Sequence, residues 1–382
     1  MNKKLEFIFL ILTILSAHSV QANEMLFQEW KKDVVKSNFS GVVLVAKGND
    51  VVFKEAFGIA NREENIPFSV NTIFDIGSLT KQFTATAILK LQETNRLSIN
   101  DPITKFFTNV PDDKKDITIH QLLTHTAGFE LIRGNGSSDI YELVSKDVLV
   151  EFAFKSKLLS PPGEKYSYSN IGYSLLAIII EKITKDDYEV YFRDNLFKPA
   201  LLQDTGYRLT NRVPKKIAIN YGADQTTLQK IFFITAESKS VGNPFKHLEL
   251  DDGPRFNLEG GGGLSSTIED LYRWHLALNS NLILSAQSKH ELFSPHNISL
   301  NTKSKSHYGY GWLITLTERG TTHAEHNGSN GYSFADMHRF IEDNVLVIIA
   351  TNDRDVYPQS IMNNLIEIVE ESMANKSLKQ DK

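Results

Sequence analysis

Strand-like runs gather at the two ends of this 382-residue chain, while its long middle reads as helix and loop, and that arrangement leaves few architectures open. Val42 to Lys47 and Val51 to Phe57 are rich in β-branched and aromatic residues, and Gly48, Asn49 and Asp50 between them form a hairpin turn signal. Near the other end, Gly311 to Thr317, Tyr332 to Phe340 and Val345 to Thr351 read as three more strands, the last two joined at Glu342, Asp343 and Asn344. Leu26, Trp30, Val34 and Val35 recur at helical spacing before the first hairpin. After Pro358, the spacing of Ile361, Met362, Leu365, Ile368 and Val369 predicts a closing helix. The economical fold is α/β plus all-α: one antiparallel sheet built from both chain ends, flanked by helices, with an inserted mainly helical region. No internal repeat or low-complexity linker interrupts it. The least readable stretch, residues 209 to 258, is polar and without sustained periodicity, and is expected to be a long loop over a site.

The first residues predict export. Lys3 and Lys4 precede an apolar run from Phe7 to Leu15, and Val20, Gln21 and Ala22 supply a small-residue cleavage site, so residues 1–22 read as a secretory leader. The apolar run is shorter than the roughly 20 residues that span a bilayer, and no later segment is apolar enough, so no stable membrane span is expected after cleavage. The expected location is periplasmic or secreted.

Charge and composition exclude several classes. The chain's 41 basic and 46 acidic residues become 39 and 45 once Lys3, Lys4 and Glu6 leave with the leader, which offers no attraction to nucleic acid. Cysteine is absent, so an exported protein of this sequence is held by its core alone and has no thiol nucleophile. No H-E-x-x-H occurs, and the glycine run Gly260 to Gly263 lacks the lysine of a phosphate loop; it reads as a tight bend. No metal and no cofactor are expected. The G-x-S-x-G elbow of an α/β-hydrolase is also missing.

Three clusters carry chemistry. Ser78 opens an apolar helical run through Ile88, Leu89 and Leu91, and Lys81 follows three residues later on the same helix face, within reach of its hydroxyl. A serine hydroxyl needs a nearby base, and a lysine can serve where its surroundings depress its pKa. Taken alone, the S-x-x-K pattern equally describes a helix start and a solvated lysine, but it occurs once in the chain and its lysine falls in an apolar helix. The second cluster runs from Pro161 to Tyr173, where Tyr168 and Asn170 lie two apart in a loop entering a helix, so both can face one cleft; a core aromatic and a helix cap would look the same. The third runs from His323 to Tyr332 and leads into a predicted strand. Gly328 there lets a substrate lie close to the strand edge, and the Ser329 amide is placed to donate to an oxyanion.

Together the clusters resemble the serine β-lactamase and penicillin-binding protein superfamily, in its branch of class C β-lactamases, D-alanyl-D-alanine carboxypeptidases and related esterases and aminopeptidases. The three family motifs stand in order as Ser78 to Lys81, Tyr168 to Asn170 and His326 to Gly328. Ile117 to Phe129 and Gly260 to Asp270 look like connecting signatures of that family, with His125 and Thr126 in a structural turn. The resemblance implies a catalytic domain over 23–378, its α/β part 24–75 and 300–376 and its helical part 76–290. It implies catalysis by Ser78, Lys81 and Tyr168, an oxyanion hole made of the Ser78 and Ser329 amides, and substrate binding by Asn170, His326, Asn327 and Gly328. Which of Lys81 and Tyr168 is the base stays open, since the two can titrate as a unit.

The implied activity is hydrolysis of an amide or ester through an acyl-enzyme, of the D-alanyl-D-alanine carboxypeptidase, peptidase or esterase kind. The substrate is a small molecule or peptide, peptidoglycan stem peptide among the candidates, and the oligomeric state is open. Class C β-lactamases resemble K-T-G at the third motif, whereas this chain has His326-Asn327-Gly328 and lacks the fixed positive charge that holds a lactam carboxylate. A class C-like β-lactamase is therefore the alternative reading, and a non-turnover penicillin-binding sensor or scaffold a further one.

Overall fold

The computed structural model describes residues 26–132, 144–207, 216–222, 238–242, 258–296 and 306–380. The chain divides into two compact units, one of Met1–Ser40 with Val356–Lys382 and one of Gly41–Asp355.

In the first unit, helix α1 (residues 26–36) meets the closing helix predicted after Pro358. The Trp30 indole N–H donates to the Ile361 carbonyl at 2.7 Å, and the Phe39 ring stands edge-on to Tyr357 at 6.4 Å. Trp30, Val34, Met362, Leu365 and Val369, the positions read as periodic, are buried.

In the second unit, β1 (Gly41–Lys47) and β2 (Asp50–Phe57) form the expected hairpin. Short ribbons follow, in which β3 (Ile59–Asn61) pairs with β4 (Ile66–Pro67), β5 (Phe74–Asp75) with β8 (Ser265–Ser266), and β6 (Asn220–Gly222) with β7 (Lys239–Gly242). The chain then returns through β9 (His307–Tyr308), β10 (Leu313–Leu316), β11 (Thr322–Ser329), β12 (Phe334–Phe340) and β13 (Val345–Thr351). One seven-stranded sheet results, ordered β2-β1-β13-β12-β11-β10-β9, with every neighbouring pair antiparallel. The first hairpin closes onto the last strand, from Gly41 opposite Thr351 to Lys47 opposite Val345. All seven residues of β13 are buried, which explains its unbroken run Val-Leu-Val-Ile-Ile-Ala-Thr: a central strand covered on both faces has no polar side to show. The edge strand β2 instead carries Asp50, Lys54 and Glu55, charges that discourage pairing with a stray strand.

Between the two halves of the sheet lie α2 (Thr80–Glu93), α3 (Ile119–Leu123), α4 (Lys146–Lys155), α5 (Asn170–Thr184), α6 (Tyr188–Phe192), α7 (Ile268–Asn279) and α8 (Ala286–Leu292). Helices α2 and α5 pack on one another in the centre, and both are buried almost all round. That requires a sequence without a polar face, as Ile171 to Ile180 provides. Helix α9 (Gln359–Gln380), in the first unit, is the closing helix, and among the described residues no helix is long and apolar enough to cross a membrane.

Two expectations change. The segment from His323 to Ser329 is the strand β11 itself, and the next strand begins at Phe334 and not at Tyr332. Its histidines, glutamate and asparagine hid the alternation, yet Ala324, His326 and Gly328 are buried while their neighbours are at least partly exposed. Within the stretch 209 to 258 most positions lie outside the described residues; the described ones include the β6–β7 ribbon.

Candidate active site

Ser78 sits at a junction held by its neighbours' hydrogen bonds. Strand β5 runs into a single 3₁₀ turn, Gly77–Leu79, and directly into α2. Asp75 Oδ1 accepts from the Gly77 amide at 2.6 Å, and the Thr80 hydroxyl donates to the Gly77 carbonyl at 2.7 Å while accepting from the Leu264 amide. Lys81 is in the first turn of α2 and completely buried. Its Nζ lies 3.2 Å from Ser78 Oγ, 2.7 Å from Asn170 Oδ1 and 2.5 Å from the Gly261 carbonyl oxygen.

The second cluster enters from the start of α5. Ser169 is the N-cap, accepting from the Gly172 amide at 3.2 Å, which frees Asn170 to turn its side chain to Lys81. One residue earlier, the Tyr168 side chain lies beside Ser78, and the Tyr168 ring centroid is 4.7 Å from Lys81 Nζ. His125 sets this approach. It adopts a left-handed φ of 57°, accepts from the Ser169 amide at Nδ1 (3.0 Å), and lays its ring 4.3 Å from that of Tyr168. The turn read around His125 and Thr126 is therefore also the backing of Tyr168.

Strand β11 closes the third side, and it can do so because two glycines meet. A Cβ on Gly328 would fall 2.0 Å from the Ile76 carbonyl oxygen and 2.6 Å from the Ser78 amide nitrogen; one on Gly77 would fall 2.3 Å from the Ser329 amide nitrogen. Backbone touches backbone, and the amides of Ser78 and Ser329 are brought to the same edge. Asn327 is exposed on β11. His326 is buried with both ring nitrogens engaged: Nδ1–H donates to the Asn327 carbonyl at 2.6 Å, and Nε2 meets the Tyr308 hydroxyl at 2.9 Å. The carbonyl partner fixes the proton on Nδ1.

Two participants escaped the sequence reading. The bend at Gly260 to Gly263 supplies the Gly261 carbonyl to Lys81, and Tyr308, on β9, supplies the hydroxyl that occupies His326. The G-G-G-G run was visible as a bend, but nothing local says which carbonyl it aims or where.

Burial dominates the electrostatics. It drives the Lys81 pKa well below the ordinary lysine value and raises that of Tyr168, the nearby Ser78 hydroxyl offsetting part of the rise. Burial lowers His326 to about 4, and burial also lowers His125. Among the described residues, the three metal-ligating side chains within reach of a single ion lie away from this cleft, in His323, Glu325 and His338.

Comparison with known proteins agrees with this architecture. The family model described as Beta-lactamase matches residues 28–365. Penicillin-binding protein 4* of Bacillus subtilis is 30% identical over 337 residues, 86% of this chain and 71% of that protein. The crystal structure of a penicillin-binding protein from Bacillus halodurans is 25% identical with a TM-score of 0.71, covering 91% of this chain and 99% of that one. The D-amino acid amidase of Ochrobactrum anthropi SV3 shares the fold with a TM-score of 0.75 at 20% identity, over 93% and 99% of the two chains. With the family model spanning most of its length and this sheet and helical core beneath it, the chain belongs to the beta-lactamase family and is a serine hydrolase.

Proposed function

We propose that Ser78 is the nucleophile of this hydrolase, that neutral Lys81 takes its proton with Tyr168 as relay, and that the acyl donor is an amide or ester of the D-alanyl peptide or simple ester class. The observation that carries the reading is the set of three partners around Lys81 Nζ. A neutral amine has two N–H groups and one lone pair. Asn170 Oδ1 and the Gly261 carbonyl are acceptors for the two N–H groups, and in that neutral form the lone pair is left for the Ser78 hydroxyl, whose oxygen is 3.2 Å away. Burial favours that neutral form.

On this reading Ser78 Oγ attacks the substrate carbonyl as its proton passes to Lys81. The tetrahedral oxyanion is received by the Ser78 and Ser329 amides. The proton returns through the Tyr168 hydroxyl to the leaving amine or alcohol, the C–N or C–O bond breaks, and an ester to Ser78 remains. Water then attacks that ester with the same groups exchanging the proton, releasing the acid. Asn170 and the exposed Asn327 are the groups proposed to hold the substrate amide.

Peptidase or esterase chemistry is favoured over lactam hydrolysis because both nitrogens of His326 are already bonded to protein groups, so the third motif offers no free cation to a lactam carboxylate. Residues 1–22 are proposed as a leader that directs the chain to the periplasm or exterior, and 23–378 as the catalytic domain. The test is purified protein against D-alanyl-D-alanine peptides, D-aminoacyl amides, short-chain esters and a chromogenic cephalosporin, with intact-mass detection of acyl-enzyme. Turnover of amides or esters is expected. Turnover confined to the cephalosporin would establish the β-lactamase alternative, and a stable adduct without turnover the sensor.

A further inference from the structure

The opposite face of β11 holds a cluster that the hydrolytic site does not use. Alternate residues of a strand face opposite ways, so His323, Glu325 and Asn327 share one face while His326 and Gly328 share the other. On the neighbouring strand Glu325 stands directly opposite His338, His323 opposite Phe340, and Asn327 opposite Asp336. The register thus brings two imidazoles and a carboxylate to one spot. His338 Nδ1 is 3.0 Å from His323 Nε2 and 3.0 Å from Glu325 Oε2, and the latter two atoms are 3.8 Å apart.

We propose that His323 Nε2, Glu325 Oε2 and His338 Nδ1 bind a zinc ion. A triangle with edges 3.0, 3.0 and 3.8 Å has a circumradius of about 1.9 Å, so a point about 2.0–2.1 Å from all three atoms lies just off its plane, the length of zinc bonds to nitrogen and carboxylate oxygen. The surroundings supply what such ligands need. Asp336 Oδ2 sits 3.1 Å from His338 Nε2, holding that nitrogen as the protonated one and turning Nδ1 to the centre, the carboxylate–histidine arrangement that orients metal ligands. The His323 ring is stacked on Phe340 at 4.4 Å and 7°, which fixes its plane. Glu325 is partly exposed, which leaves the cluster an entry path from solvent. Two imidazoles with one carboxylate suit zinc and its transition-metal neighbours and not magnesium or calcium, which take oxygen.

Binding moves one proton: the one that His338 Nδ1 shares with His323 and Glu325 in the empty site leaves for solvent as the ion arrives. The ion would cross-link β11 to β12 on the face away from Ser78, bracing the strand that carries Gly328 and Ser329. The sequence reading expected no metal because its ligands form no linear motif; H-x-E on one strand meets a histidine on the next only through the register.

The test is titration of chelator-treated full chain with zinc sulfate by calorimetry, with magnesium chloride as control, and with cobalt chloride read by visible absorption. One zinc per chain, a raised unfolding midpoint with zinc alone, and the d–d bands of a four-coordinate cobalt site are expected. His323→Gln and Glu325→Gln should each weaken zinc binding by about 10-fold or more, and Asp336→Asn by about 10- to 100-fold without removing a ligand. Circular dichroism confirms that each variant is folded. No binding by the unaltered chain at roughly 0.1 mM zinc overturns the proposal. So does binding that survives unchanged in the folded double variant His323→Gln, Glu325→Gln.

Discussion

The two faces of strand β11 put histidines to opposite uses. On the face toward Ser78, His326 lies in a dry setting among Tyr168, Tyr308 and Lys81, and burial holds it neutral. On the other face, His338 from β12 is also buried, yet Asp336 and Glu325 beside it raise its pKa to about 10. Burial alone pushes imidazole toward neutrality, and adjacent carboxylates reverse the sign. One strand therefore offers an uncharged wall to the candidate cleft and an ionic cluster a few residues away.

If the inner face is the catalytic one, its variants should lose activity far more than outer-face variants do. Ser78→Ala should lower kcat/KM by about 10⁴-fold or more with an unchanged circular dichroism spectrum, since the side chain is removed from chemistry and not from the core. Retained turnover would dismiss Ser78 as nucleophile. Gly328→Ala comes next: a methyl that meets the Ile76 carbonyl at 2.0 Å must push β11 away from the turn, and a displacement near 1 Å should cost about 100-fold in kcat/KM. Wild-type rates in this variant would mean that the strand edge does not line the reacting space.

Lys81→Met separates chemistry from stability. Activity should fall by about 10²- to 10⁴-fold while the unfolding midpoint rises, because a buried amine is exchanged for an apolar chain of similar length. The pH dependence follows from the same shift. The folded Lys81 pKa is depressed, so below the ordinary lysine range the unfolded chain binds a proton that the folded chain does not. Stability from this group is greatest above the unfolded pKa and is lost as pH falls toward the folded one, and the methionine variant should flatten that slope. In the unaltered enzyme kcat/KM should rise with pH as the amine loses its proton. A flat acidic limb would reassign the base.

The smallest effect should be that of Thr322→Ala at the far end of β11. Its hydroxyl reaches only the exposed Glu342 carboxylate, at 2.9 Å, so stability should change within about 0.5 kcal/mol and kcat/KM should stay within error. A large loss of activity there would show that the whole strand moves as one unit and would erase the contrast between its faces.

What could be read before folding was whatever backbone geometry fixes locally. Lys81 follows Ser78 by three residues on one helix face, Tyr168 and Asn170 lie two apart where a loop enters a helix, and a run such as Val345 to Thr351 reads as a strand. Strand β11 was missed for the complementary reason. Its polar residues are acceptable inside only because Tyr308, His338 and Asp336 come to meet them from elsewhere in the chain.

The sequence by itself thus determined the order of the three motifs, the composition of the central strands and the helical start beneath Ser78. Only the tertiary structure decided that Lys81 is stripped of water and faces the Gly261 carbonyl, that His326 is occupied by Tyr308, and that His323, Glu325 and His338 converge. Each of these depends on desolvation or on strand register. Both are properties of packing between segments distant in sequence, and no spacing along one segment encodes them.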